Sequence, residues 1–214
     1  MKGLLITHEG VEGSGKSTQH KMNVDDLLNV GINILFPPPR EPGGTEVGER
    51  IRDVLLNSPI GLVGSITELL LFEAARGQLV EDVIAPAINS GKTVVLDRFF
   101  DSTTAYQGFG RDIDLAKVSW LNAFASRGIV PDLTFVYDID VAEGLSRATR
   151  ENTDRLEAED LAFHNRIRMG YLNLAQMSPE RIVILDASRE VEEINRDVRR
   201  ITLELIERSH NDIW

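Results

Sequence analysis

Gly10-Val11-Glu12-Gly13-Ser14-Gly15-Lys16-Ser17 comes just after the apolar run Gly3-Leu4-Leu5-Ile6-Thr7, and Thr18 comes next. Glycines at this spacing let backbone N–H groups curl inward around phosphate oxygens. Lys16 adds a mobile cation for the β and γ groups, and Ser17 a hydroxyl for a divalent cation. A helix that begins at this point directs its positive end at the anion. The segment from Gly10 to Thr18 is therefore expected to bind a nucleoside triphosphate; the loop leaves open which nucleotide and which reaction.

Other clusters carry a chemical reading beside a bland one. Arg40-Glu41-Pro42-Gly43-Gly44 is either a proline-glycine turn or a turn that presents a cation. Asp97-Arg98 ends an apolar run, where an aspartate can hold Mg2+ through water and an arginine offers a planar fork to phosphate. Phe72 and Arg76 lie four apart and share a helix face; on their own they read as a core aromatic and a solvated charge. Tyr106, after Ser102-Thr103-Thr104, reads equally as a packed aromatic with a satisfied hydroxyl. Arg147, Arg150 and Arg155 fall in a charged stretch, 146–155, which is either an exposed helix end or, in an acidic protein, a place for an anion. Trp120, Trp214, His20 and His164 read as packing or surface.

The chain of 214 residues is 42% hydrophobic, enough for one filled core, and a single domain over 1–214 is expected. Its net charge of -11 repels a nucleic-acid backbone, so phosphate handling requires a local island of cations. Without cysteine, a metal must be held by oxygen or imidazole. No apolar run approaches the ~20 residues that span a bilayer, and Met1-Lys2-Gly3 leads into a strand instead of a cleavable leader. A cytoplasmic protein without membrane or nucleic-acid partners is expected.

Apolar runs alternate with helical patterns along the whole chain. Strands are expected at 4–7, 32–36, 93–97, 133–138 and 181–185, and helices at 16–30, 46–56, 66–89, 115–127, 141–147, 157–177 and 191–207. The helix at 66–89 should bend near Gly77 or Pro86. Five strands separated by helices predict a parallel sheet covered on both faces, with ligands at the carboxyl ends of the strands.

The ordered set Glu9-Gly10-Val11-Glu12-Gly13, Arg40-Glu41-Pro42-Gly43-Gly44-Thr45, Leu71-Phe72-Glu73-Ala74-Ala75-Arg76, Asp97-Arg98-Phe99 and Ala105-Tyr106-Gln107-Gly108 resembles thymidylate kinase. The resemblance runs on through Pro131-Asp132-Leu133-Thr134, Asp154-Arg155-Leu156-Glu157 and Gly170-Tyr171-Leu172. It implies a three-layer α/β fold of the P-loop nucleoside monophosphate kinase type, with a five-stranded parallel sheet, a short lid at about 146–155 and usually a homodimer. The implied reaction moves the ATP γ-phosphoryl group to dTMP with Mg2+. Arg40 and Arg98 would grip the dTMP phosphate, Phe72 would stack on thymine, and Arg76 would bond a base carbonyl. Thr103 and Gln107 would lie at the base edge, Tyr106 under the sugar, and Glu12 near the 3′-hydroxyl. Lys16, Arg98 and the lid residues Arg147 and Arg150 would be catalytic, because Ser14 stands where one type of the family has a basic loop residue. Arg155 would bind ATP; Ser17, and Asp97 through water, would hold the metal. His8, Pro39 and the short lid depart from the family pattern. Two alternatives are a kinase for another acceptor and a nucleotide-dependent switch, which turnover with and without each acceptor distinguishes; a third, a degenerate structural relative, is disfavoured by the presence of Lys16, Ser17, Asp97 and Arg98.

Overall fold

Residues 3–148 and 155–211 are described in the computed structural model of the chain. Four parallel strands, β1 (Leu5–Gly10), β2 (Val94–Asp97), β3 (Leu133–Asp138) and β4 (Ile182–Asp186), form a sheet in the order β2-β1-β3-β4. The central register pairs Ile6 with Val95 on one side and with Leu133 on the other. β1 is buried along its whole length, as a central parallel strand must be. Two of its polar members are paired across the sheet, Thr7 Oγ1 with Thr134 Oγ1 at 2.7 Å and His8 Nδ1 with Tyr137 Oη at 2.7 Å.

The expected fifth strand, at 32–36, is not formed. That segment runs beside β2 and makes a single bridge, Ile34 to Thr93, before Pro37-Pro38-Pro39. Three consecutive residues without an N–H cannot continue a ladder. The chain rejoins the sheet edge only at Arg40, which bridges to Asp97, and Glu41 donates its N–H to Asp97 O at 3.1 Å. The sheet therefore has four strands, and the lost edge strand delivers the Arg-Glu-Pro turn to the end of β2.

Helices cover both faces. Val95 packs with Val24 and Leu27 of α1 (Lys16–Asn29) and Ile206 of α9 (Val191–Asn211). Its neighbours Val94 and Leu96, pointing the opposite way, pack with Leu79 of α3 (Ser65–Leu79) and Ile88 of α4 (Ala85–Asn89). α2 (Glu46–Asn57) lies against α3. Between α3 and α4 the chain is π-helical over Val80–Ile84. Pro86 has no N–H for the carbonyl of residue 82, which accounts for the irregular turn just before it. A short α5 (Phe100–Thr103) continues into a second π-helical segment, Thr104–Gly110, that the sequence patterns do not reveal. α6 (Leu115–Ala125) starts on Asp114, which accepts from Ala116 N and Lys117 N. α7 (Val141–Arg147) and α8 (Leu161–Met177) complete the order, α8 being capped by Asp160 accepting from Phe163 N. No helix among the described residues is long and apolar enough to cross a membrane.

Candidate active site

β1 and β2 end on the same edge of the sheet, and the chain after each builds one wall of a cavity of about 300 Å³. After β1, Gly13 takes φ 71° and lies so close to Gly144 that a Cβ there would meet its carbonyl oxygen; only glycine fits. Gly15, at φ 78°, opens α1 without a side-chain cap, so the first-turn N–H groups face the loop. Lys16 Nζ bonds Asp97 Oδ1 at 2.6 Å, and Ser17 Oγ bonds Asp97 Oδ2 at 2.9 Å. Burial opposes ionisation of Asp97. The charges of Lys16 and Arg98 and the bonds from Lys16 and Ser17 outweigh it and hold the carboxyl far below its usual range. Ionised carboxylate and hydroxyl side by side form a hard-oxygen pair suited to a Mg2+ that keeps most of its water and phosphate ligands. No cluster of three or more His, Asp or Glu that could hold a metal exists among the described residues.

The turn after β2 aims Arg98. Its φ of 72° is in the left-handed region, and two bonds fix it: Arg98 N to His8 O at 3.1 Å, and Phe99 N to Glu9 Oε1 at 2.7 Å. Glu9 also accepts from Ser102 Oγ and Tyr171 Oη. Burial, with Asp101 nearby, pushes Glu9 up to about 7. The Arg98 guanidinium bonds Glu12 Oε1 at 2.6 Å, Ser102 Oγ at 3.1 Å and Tyr171 Oη at 3.2 Å, and lies 5.0 Å over the ring of Tyr106. Tyr106 Oη bonds the same Glu12 oxygen at 2.8 Å. Glu12 is kept below the ordinary carboxylate range: burial works upward, and Arg98, Lys16 and the Tyr106 bond overcome it.

Beyond this polar end the cavity is lined by Phe72, Arg76, Thr103, Tyr106 and Gln107, with Arg40 at the rim. α3 supplies Phe72 and Arg76 four residues apart, and the π-helical turn after α5 brings Tyr106 and Gln107 against them. Arg76 is buried, and all five of its N–H groups have acceptors: Glu41 Oε2 twice, at 3.0 and 2.8 Å, Glu73 Oε1 at 2.9 Å, Asn122 Oδ1 at 3.1 Å and Thr103 Oγ1 at 2.8 Å. A base carbonyl can reach it only by replacing one of these, and the neutral oxygens of Thr103 and Asn122 are weaker acceptors than the carboxylates.

The structure thus gathers Glu12, Lys16, Ser17, Arg40, Phe72, Arg76, Asp97, Arg98, Thr103, Tyr106 and Gln107 around one space. Arg147 stands apart, bonding Ala187 O and Glu143. Arg155, expected at ATP, is buried in an ion pair with Glu68 at 2.6 Å and bonds Leu55 O at 3.1 Å. Arg150 lies outside the described residues, as does most of the expected lid. Two lining residues escaped the sequence patterns: Arg52, which bonds Pro42 O at 2.8 Å and adds a cation, and Leu56. Both sit on α2, whose charges at 46, 49, 50, 52 and 53 make Arg52 look like any solvated residue.

A family model described as thymidylate kinase matches residues 8–198. The chain is 44% identical over 198 residues to the thymidylate kinase of Thermoanaerobacter sp. (strain X514), covering 92% of this chain and 96% of that protein. With that of Halothermothrix orenii it shares 46% over 202 residues, covering 92% and 95%. The crystal structure of thymidylate kinase from Ehrlichia chaffeensis superposes with a TM-score of 0.77 at 31% identity, over 94% of this chain and 99% of that one. Loop, cavity and relatives agree, and the chain belongs to the thymidylate kinase family.

Proposed function

We propose that this chain transfers the γ-phosphoryl group of ATP to dTMP, giving dTDP for dTTP synthesis. The observation that carries this is the continuity of one cavity from the Lys16–Asp97 pair to the Phe72–Arg76–Gln107 end, with Arg98, Glu12 and Tyr106 between them. A triphosphate on the loop and a nucleoside monophosphate in the second half would meet at Arg98. The second pKa of a phosphate monoester is ~6, so the attacking oxygen is already ionised and no general base is needed. What the residues must do is hold two polyanions in line and absorb their charge.

Lys16 and the loop N–H groups take the β- and γ-phosphates of ATP along the segment from Gly10 to Thr18. Arg40 and Arg98 take the acceptor phosphate, with Arg52 beside them. Phe72 stacks on the base, Arg76, Thr103 and Gln107 meet its edge, Tyr106 closes the space under the sugar against a 2′-hydroxyl, and Glu12 faces the 3′-hydroxyl. Ser17, and Asp97 through water, would hold a Mg2+, which would supply neutralisation of phosphate charge there. Arg147 and Arg150 are assigned to the transferring group; Arg147 would first have to leave Ala187 O and Glu143. An arginine at that position is worth on the order of 10³ to 10⁵ in rate.

The enzyme is proposed to act in the cytoplasm as a homodimer. Ile66 and Leu70 on α3 and the stacked pair Trp120 and Phe124 on α6, adjacent helices, expose large apolar side chains that a second copy would cover. The activity is tested by ADP release from ATP and Mg2+ with dTMP, dUMP, ribosyl-TMP, dCMP, dGMP, dAMP and thymidine as separate acceptors, and with none. Turnover fastest with dTMP and slower with dUMP is expected, since a thymine methyl is worth about 1 to 3 kcal/mol. Equal release without acceptor refutes the assignment.

A further inference from the structure

Behind the cavity wall, at the first turn of α3, Glu68 is fully buried with 0% exposure and does not line the cavity. It nevertheless carries four charge-assisted or amide bonds. Gln107 Nε2 donates to its Oε1 at 2.9 Å, as does Arg111 Nε at 3.1 Å. Arg111 Nη2, at 3.1 Å, and Arg155 Nη1, at 2.6 Å, donate to its Oε2. Arg111 is itself fixed by Glu159 at 2.6 Å and by the Phe163 ring, 4.5 Å from its guanidinium. We propose that Glu68 is a positioning residue for base selection: it captures the amide nitrogen of Gln107 and so turns the carbonyl oxygen of Gln107 toward the nucleotide base.

An ionised carboxylate only accepts hydrogen bonds, so the group facing it must be the NH2 end of the amide. Burial pushes the Glu68 carboxyl up, and the bonds from Arg111 and Gln107, the Arg111 charge and the Arg155 bond bring it below the ordinary value, in its ionised form. Flipping the amide would set its oxygen against that carboxylate and break the bond. Gln107 lines the cavity, and no described residue donates to its Oε1, which leaves an acceptor for the base. Thymine offers a donor at its imide N3–H; cytosine has an acceptor at that ring nitrogen. A Gln107 held with oxygen forward accepts from thymine and opposes cytosine, whereas an amide free to flip would accommodate both. Glu68 selects between them without touching either.

This deepens the assignment of the cavity to dTMP and rests on it, and the experiment separates the two. The kcat/KM ratio of dTMP to dCMP is measured for the wild type, Glu68→Gln, Gln107→Ala and the double variant; a ratio cancels any effect that Arg111 or Arg155 exerts on all acceptors alike. In Glu68→Gln the new amide can donate to Gln107 Oε1 and permit the flip. The ratio should fall about 10- to 100-fold through a weaker dTMP KM and a better dCMP KM. In the double variant it should fall no further than in Gln107→Ala. If Gln107→Ala lowers the ratio and folded Glu68→Gln leaves it unchanged, the role of Glu68 is refuted and the dTMP site stands. If Gln107→Ala leaves the ratio unchanged, the placement of Gln107 at the base fails, and the inference with it. A readout on the wild type covers the case of a variant that does not fold. The Gln107 side-chain amide resonances, assigned by their loss in Gln107→Ala, should stay protected from exchange with and without dTMP; their deprotection on dTMP binding overturns the proposal.

Discussion

Replacing Arg76 with methionine tests whether the nucleotide-facing end of the cavity is held together by charge. The guanidinium is 1% exposed and is the counter-ion of two buried carboxylates, Glu41 at 2.8 Å and Glu73 at 2.9 Å. The remaining oxygens, Glu41 Oε1 and Glu73 Oε2, have no hydrogen-bond partner among the described residues. Removing one member of a buried ion pair costs about 3 to 5 kcal/mol, because the remaining charge cannot be hydrated. Against a domain stability of about 5 to 15 kcal/mol, that brings the variant near unfolding. The size of the loss should depend on pH. Burial already pushes Glu41 up to about 7, with Glu73 and Glu9 adding to it and Arg76 opposing, and burial raises Glu73 as well. Without Arg76 both rise further. A carboxyl whose folded pKa lies above its unfolded value contributes stability at low pH and loses it as pH climbs from about 4.5 through the folded value. At about pH 5.5 Glu41 is largely protonated in the variant, and the deficit shrinks toward the lost hydrogen bonds, about 1 to 2 kcal/mol; at about pH 8 the full 3 to 5 kcal/mol is expected. Urea unfolding followed by circular dichroism, at one protein concentration and both pH values, measures the difference. A deficit that is equal at the two pH values, or below about 1 kcal/mol at the higher one, would refute the ion-pair reasoning.

Phe72→Ala should raise the KM for dTMP about 10- to 100-fold with kcat largely kept, the size of a lost aromatic–base stack, and steady-state kinetics with dTMP varied will show whether kcat falls instead. Asp97→Asn removes the ionised partner of Lys16 and Ser17, so the Mg2+ concentration for half-maximal rate should rise about tenfold or more, and an unchanged Mg2+ curve would remove Asp97 from the metal site. Phe124→Glu places a charge on a side chain 72% exposed beside Trp120, and sedimentation should report a shift from two copies to one; a dimer that persists places the interface elsewhere.

What could be read from the sequence was whatever depends on local spacing. The phosphate loop is contiguous, its chemistry lies in backbone N–H groups, and the glycines that free them are visible as letters. Phe72 and Arg76 are legible as an i, i+4 pair because helix geometry converts that spacing into one face. The missing edge strand was not legible: the β-branched and apolar residues at 32–36 favour extension, Pro37-Pro38-Pro39 forbid a ladder only beyond them, and the pairing shrinks to the single bridge from Ile34 to Thr93. The π-helical turn Thr104–Gly110 was not either, because two glycines and a polar approach carry no period, and its form depends on α3, α6 and α8 packed around it. The bond pattern of Arg76 and Glu68 belongs to a further class, since apart from the local bond to Glu73 it joins residues distant in sequence, from Thr103 with Arg76 to Arg155 with Glu68. Yet a trace of it existed. Glu68, Phe72 and Arg76 recur every four residues, so a carboxylate sits on the face that carries the aromatic ring into the cavity wall. A charge on a buried face must find partners. Glu68 found two arginines and the amide of Gln107, and the spacing that exposes one functional pair also points to the residue that holds the pocket behind it.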